Sequence, residues 1–294
     1  LVIRPKAPFD FSRMFKRLEK AKDALYQVAD GTLIRTIRFG DRIVLVQIGS
    51  EGTVGNPVVR VNILQNPGDV PAGLIDQRIA HMLSAYVDLE PFYRHAEQLP
   101  DLAGLTAKFY GMRMLLEPDP FECMIKTIVG QQLNLAFADT LIERLVRAAC
   151  APLEYQGKEY LVFPSPDQVA RLSCESLRQL QFSARKAEYV IDFAKAVVAG
   201  HIDWDILQNM SNEEIIRFLT RFRGIGRWTA ECFLLFGLGR ADLLPAADIG
   251  LRNAVKRWYG LSGQPSEQEV RKLGLNWSPW SSYYTYYLWE SLNG

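Results

Sequence analysis

The chain has 294 residues, 48% hydrophobic and 23% charged, enough apolar material for a large core and none of the bias of a disordered or fibrous polymer. Lys and Arg outnumber Asp and Glu by one (34 against 33), so no global positive charge draws it to an anionic polymer. Four scattered cysteines (Cys123, Cys150, Cys174, Cys232) form no C-x-x-C pair, which argues against zinc and against a disulfide framework.

In chain order, an amphipathic stretch, DFSRMFKRLEK (10–20), comes first. Three strand-like runs follow: LIRTIRF (33–39) alternates, RIVLVQI (42–48) is rich in β-branched residues, and PVVRVNIL (57–64) alternates again. Gly-Asp and Gly-Asn-Pro punctuate them, and a second amphipathic stretch, AGLIDQRIAHMLSAYVD (72–88), closes the region. Residues 1–114 are therefore expected to form an N-terminal α/β domain with a small antiparallel sheet and flanking helices. After about Leu115 the spacing turns helical: Met124, Ile125, Ile128, Val129, then Leu141, Ile142, Leu145, Val146. Only EYLVF (159–163) reads as strand, and PSPDQVARL carries a helix start. The fold class is α+β, with an all-helical region at 115–294.

The most informative segment is EEIIRFLTRFRGIGRWTAECFLLFG (213–237). It reads as helix Glu213–Phe222, a turn Arg223-Gly224-Ile225-Gly226, and helix Arg227–Phe236. The glycines open backbone conformations closed to other residues, and the first amides of the second helix are left to face an anion. Arg217, Arg221, Arg223 and Arg227 surround the turn with no acid between them, as a phosphate grip requires. A bare Gly-x-Gly turn is more often an ordinary αα-hairpin whose arginines only solvate its surface.

The residues beyond the turn change that balance. GIGRWTA, then PAAD with its aspartate twenty residues after the tryptophan, together with PFDFSRM, FECMIKTIVGQQL, FPSPDQVARL, SARKAEYVIDFAKAVVAG and WSPWSSYYTYYLW, resemble the segments of the 3-methyladenine DNA glycosylase II family, in its order. That family lies within the helix-hairpin-helix DNA glycosylases. The resemblance spans nearly the whole chain and is weakest over 33–117. It implies a monofunctional glycosylase that flips alkylated purines (3-methyladenine, 7-methylguanine) out of double-stranded DNA and hydrolyses the N-glycosidic bond. It also implies a monomer in the cytoplasm, at the nucleoid in a prokaryote, with no membrane partner.

Asp248 precedes the apolar pattern Leu251, Val255, Trp258, so the residues alone make it a helix N-cap. By resemblance it matches the family's catalytic aspartate. The two roles are compatible, since the positive end of a helix stabilises a carboxylate. An alkylated purine already carries positive charge and leaves with little acid catalysis. One preorganised anion beside the cationic sugar is then the main requirement.

Trp228 and Trp289 match the family's pocket tryptophans, although their spacing alone suits core packing. Gln131, Gln132 and Leu133 fall where the family fills the gap left by the flipped base, with Gln132 as the wedge and Leu133 as the apolar alternative. The hairpin residues Arg223 to Arg227 and Thr229 would hold the DNA backbone. The carbonyls of Thr220, Phe222 and Ile225 would bind a monovalent cation (Na or K) there. Trp228 stands where bifunctional relatives carry a Schiff-base lysine, so no lyase activity is expected. No cysteine follows Cys232, so no iron–sulfur cluster is expected.

The chain departs from the family pattern at Arg223 (commonly Pro), Ser281 (usually Arg) and Arg17, Cys232 and Ile249 (where aromatics occur). His81, His95 and His201 belong to no motif. Two other readings stay open: a non-catalytic helix-hairpin-helix binder of damaged DNA, which would release no base, and an oxidised-base glycosylase with lyase activity, which borohydride would trap.

Overall fold

The computed structural model describes residues 1–21 and 23–292. Lys22, and Asn293 and Gly294 at the end of the expected helical region, lie outside the described residues. The amino-terminal part is a five-stranded antiparallel sheet in the order β1-β5-β4-β3-β2, with β1 Val2–Ile3, β2 Gln27–Ala29, β3 Thr32–Phe39, β4 Arg42–Ser50 and β5 Val59–Gln65. The three long strands are those expected from the alternation. Register follows from it: Ile37 pairs with Val44 and Leu33 with Ile48, so the apolar residues of both strands share one buried side.

Helix α1 (Phe11–Ala21) precedes the main strands, and α2 (Ala72–Met82), α3 (Glu90–Glu97) and α4 (Pro100–Lys108) follow them. The stretch expected to be helical up to Asp88 stops at Met82, because Ser84 takes φ +49° and the Ala85 amide turns back to the Ala80 carbonyl (2.9 Å).

The helical region comprises α5 (Pro120–Gly130), α6 (Leu135–Ala149), α7 (Pro166–Ala170), α8 (Cys174–Gln179), α9 (Ala184–Val198), α10 (Trp204–Gln208), α11 (Asn212–Leu219), α12 (Arg227–Phe236), α13 (Ile249–Trp258), α14 (Glu267–Leu273) and α15 (Ser281–Ser291). A short hairpin of β6 (Leu153–Tyr155) and β7 (Lys158–Tyr160) interrupts it. The strand expected over 159–163 is thus displaced and shorter. Beyond Tyr160 the chain docks on the large sheet instead, where the Leu161 carbonyl accepts from Thr36 Oγ1 (2.6 Å) and the Phe163 carbonyl from Arg38 Nε (2.8 Å).

Two buried cores organise the molecule, and each draws residues from both sides of position 114. The first joins the sheet to α5, α6, α9 and much of α12 through residues such as Val44, Val61, Ile125, Leu145, Val190 and Phe233. The second joins α3 and α4 to α13 and α15 through Phe92, Leu105, Val255, Tyr284 and Leu288. Phe236, at the end of α12, packs against both.

Where sheet and α5 meet lies a charged cluster. Arg35, 1% exposed, donates from Nη2 to both oxygens of Glu122 (3.0 Å each) and from Nη1 to the Tyr26 hydroxyl (2.5 Å). Lys126 Nζ reaches Asp23 (2.9 Å), Glu117 (2.9 Å) and Glu122 (3.0 Å). Among the described residues no helix is long and apolar enough to cross a membrane.

Candidate active site

Asp248 is the N-cap of α13, its Oδ1 accepting the Leu251 amide at 2.7 Å. The structure adds two further donors. The Trp228 indole N–H, from α12, reaches Oδ2 at 3.0 Å, and the Trp289 indole N–H, from α15, reaches Oδ1 at 3.0 Å. All three side chains are half-buried. Both predicted pocket tryptophans therefore converge on the predicted carboxylate from opposite sides of the junction between the two cores. Among the described residues no basic side chain pairs with Asp248, so its charge is balanced by N–H dipoles alone.

A carboxylate offers about four acceptor positions. Oδ1 uses two, for Leu251 and Trp289, and Oδ2 one, for Trp228, so the open position is on Oδ2. One side of Trp289 is occupied by Phe236, stacked at 5.7 Å and 18°. Gly250 matters here as well: a Cβ at that position would lie 3.0 Å from Asp248 Oδ1 and 3.4 Å from Trp289 Nε1. A glycine in the first helical turn, two residues after a capping carboxylate, was a readable sign of such a close approach, and the sequence reasoning missed it.

One turn beyond Trp228, the Cys232 thiol is buried, and burial, together with the negative charge of Asp248, pushes it well above the ordinary thiol range. It stays protonated and unreactive. Of the other departures, Arg17 stacks over Tyr286 (4.8 Å) and pairs with Glu290 on the helix that carries Trp289. Ser281 is buried, and its hydroxyl donates to Asp242 (2.6 Å). Ile249 is exposed.

In the hairpin, the first helix ends at Leu219 and not at Phe222. The chain tightens there, with Phe222 N bonding Leu219 O at 3.1 Å, so the link to α12 is longer than expected. Only Gly224 needs its glycine, with φ +86° and the Tyr189 ring where a Cβ would sit (2.2 Å). Gly226 has φ −93°, and nothing crowds it. Helix α11 begins with a Ser211–Glu214 capping box, whereas the start of α12 has no side-chain cap, leaving its first amides open.

The four arginines are not equivalent. Arg223 pairs with Glu188 (2.6 Å) and Asp192 (3.8 Å), and Arg227 with Glu213 (2.5 Å) and Glu231 (2.9 Å). Among the described residues only Arg217 and Arg221 of this set form no ion pair, and Arg221 lies over the Phe218 ring (4.8 Å). Thr229 is buried, its hydroxyl accepting from Gln131 Nε2 (2.9 Å), and the same nitrogen reaches the Gly224 carbonyl (2.8 Å). Half-buried Gln131 thus ties the loop after α5 to the hairpin turn and to the first turn of α12.

Gln132 is exposed at the tip between α5 and α6, with φ +56°, and Leu133 is half-buried beside it. Of the three predicted cation carbonyls, that of Phe222 takes the Ile225 amide (3.1 Å). Those of Thr220 and Ile225 accept no hydrogen bond among the described residues.

Residues 125–279 match the model of the HhH-GPD superfamily of base excision DNA repair proteins. A DNA-3-methyladenine glycosylase of Bacillus subtilis is 30% identical, over 99% of this chain and 97% of the relative. The solved structure of a 3-methyladenine DNA-glycosylase from Archaeoglobus fulgidus superposes with a TM-score of 0.86 at 26% identity, covering 100% of this chain and 98% of that one. The Schizosaccharomyces pombe 3-methyladenine DNA glycosylase, solved with abasic DNA, covers 69% of this chain and 96% of its own at TM-score 0.60 and 28% identity. With its hairpin and its tryptophan-held aspartate inside the matched span or packed against it, the chain belongs to the HhH-GPD superfamily of base excision DNA repair proteins.

Proposed function

We propose that this protein is a monofunctional DNA glycosylase that removes alkylated purines from duplex DNA. The observation that carries the reading is Asp248, an anion held by two indole N–H groups and a helix amide with no cation against it among the described residues. The cation it lacks is supplied by the substrate. As the bond to a charged purine breaks, the sugar becomes oxocarbenium-like, and the open position on Oδ2 faces that charge or holds the attacking water. Fixed N–H donors keep the carboxylate oriented, so little reorganisation is needed during the reaction.

Trp228 and Trp289, locked through the same hydrogen bonds, present aromatic surface to an extruded cationic base. Trp228 also fills the place of a Schiff-base lysine, which supports hydrolysis without strand cleavage. The uncapped start of α12, with Arg221 nearby, suits a DNA phosphate. A monovalent cation on the Thr220, Phe222 and Ile225 carbonyls would add positive charge there. Gln132 and Leu133 fill the gap in the duplex.

The test is base release from methylated duplex DNA, read by mass spectrometry. The wild type frees 3-methyladenine or 7-methylguanine and leaves an uncleaved abasic strand, with no borohydride-trapped adduct. Asp248→Asn, which keeps an N-cap of similar quality, loses about a hundredfold or more of that rate while still binding DNA. Full activity in that variant, or a trapped adduct, would falsify the mechanism.

A further inference from the structure

Helix α9 touches both of the elements that engage DNA in this reading. Towards the hairpin it supplies Tyr189, whose ring takes the space above Gly224, and Glu188 and Asp192, which hold Arg223. Towards the loop after α5 it supplies Lys186. The Lys186 ammonium donates to the carbonyls of Val129 (2.7 Å), Gln131 (2.9 Å) and Ile128 (3.3 Å).

Those carbonyls sit at the negative end of α5, where a helix leaves its last acceptors unpaired and favours a cation. Burial pushes Lys186 down to about 8, so the side chain sits there at some cost in hydration, offset by three charge-assisted bonds. The loop is fastened a second time by Gln131, which reaches the hairpin itself at Gly224 and Thr229. Next in sequence is Gln132, held in a left-handed conformation and pointing out.

We propose that Lys186 is a positioning residue for base extrusion: from α9 it fixes the Gln132–Leu133 loop at a set distance from the phosphate-binding hairpin. A wedge works only if it meets the duplex at the right height relative to the phosphate grip. With α9 holding both, the span between them is a property of one rigid helix. Lys186 touches neither base nor sugar, and it acts through the loop. This inference rests on the reading of that loop as the gap filler.

A role in extrusion predicts a dependence on how hard the base is to extrude. A base in a single-nucleotide bulge is already unstacked in part and needs little help, whereas a paired one must be displaced and its gap filled. Single-turnover base release is measured on two duplexes that carry the same lesion, paired in one and bulged in the other. Lys186→Met slows the paired substrate about tenfold to a hundredfold, as small misplacements do, and leaves the bulged one at the wild-type rate. Lys186→Arg, which keeps the charge at the helix end, restores the paired rate.

Equal slowing on both substrates, or no slowing on either, overturns the proposal. If Lys186→Met loses cooperative melting, Lys186→Gln, a shorter donor, carries the same comparison. Failure of the underlying glycosylase reading looks different: the wild type then frees no base from either duplex.

Discussion

Asp248 and Glu122 are two carboxylates drawn out of water in one molecule, and they are balanced in opposite ways. Glu122 is 2% exposed and meets two resident cations, Arg35 and Lys126. Burial alone would raise it, but Arg35 and then Lys126 overcome that and hold it down to about 2. Asp248 is half-buried and, among the described residues, meets N–H dipoles and no ion-pair partner. A charge neutralised by a resident opposite charge is structural and has nothing left to offer. A charge supported by dipoles keeps most of its field for a cation that arrives later. The contrast separates a joint between two parts of a fold from the dipole-held anion to which the proposed function gives the catalytic role.

The sharpest way to break that contrast is to strip the joint of its cation. Arg35→Met leaves Glu122 buried without its bidentate partner and is expected to lose about 3 to 5 kcal/mol of stability in urea denaturation. Adding Glu122→Leu should recover most of it, because an apolar pair replaces an orphaned charge. A loss below about 1 kcal/mol would mean that Lys126 alone suffices.

The second change leaves the fold alone and touches only the dipole-held site. Gly250→Ala places a methyl 3.0 Å from Asp248 Oδ1. Alanine favours the helix by about 1 kcal/mol over glycine, so stability holds or rises while single-turnover excision falls about tenfold. Unchanged excision would show that the carboxylate tolerates displacement.

The smallest expected effect is a pH dependence. Around Lys126 there are three carboxyl groups, one more than Arg35 and Lys126 together can neutralise. Burial, with the charges of Glu122 and Asp23, pushes Glu117 up to about 7 against the pull of Lys126. Between its ordinary value of 4.5 and about 7 the folded state holds a proton that the unfolded state releases. That contribution is therefore complete below 4.5 and lost as pH rises through 7. Glu122 works the other way, its share present above 4.5 and lost as pH falls towards 2. Thermal midpoints should peak near about pH 5 and decline towards 8 by the equivalent of about 1 to 2 kcal/mol. Glu117→Gln should flatten that decline, and an identical slope in the variant would remove Glu117 as its source.

Much of this was legible in the sequence where the determining contacts are local. The alternation at 33–39, 42–48 and 57–64 became β3, β4 and β5, and Asp248 capped the helix its neighbours implied. What depended on distant partners was not. Trp289 lies 41 residues from Asp248 and was tied to it only through family resemblance. Nor did the sequence show that the Gln131 amide donates to groups 93 and 98 residues away.

The ion pairs of the hairpin arginines were hidden from the sequence for a related reason. The intervals between them contain no acid, yet Glu188 comes from another helix and Glu213 from the turn before. Glu231 was within reach of the sequence, since residues four apart on a helix are neighbours.

The seam between the two cores gives the hydrogen bonds on Asp248 one more meaning. Trp228 is borne by α12, which contributes mostly to the first core, and Trp289 by α15, which belongs wholly to the second. The carboxylate is thus a clasp across the halves of the molecule, and slippage of one half against the other would lengthen one of its two indole hydrogen bonds.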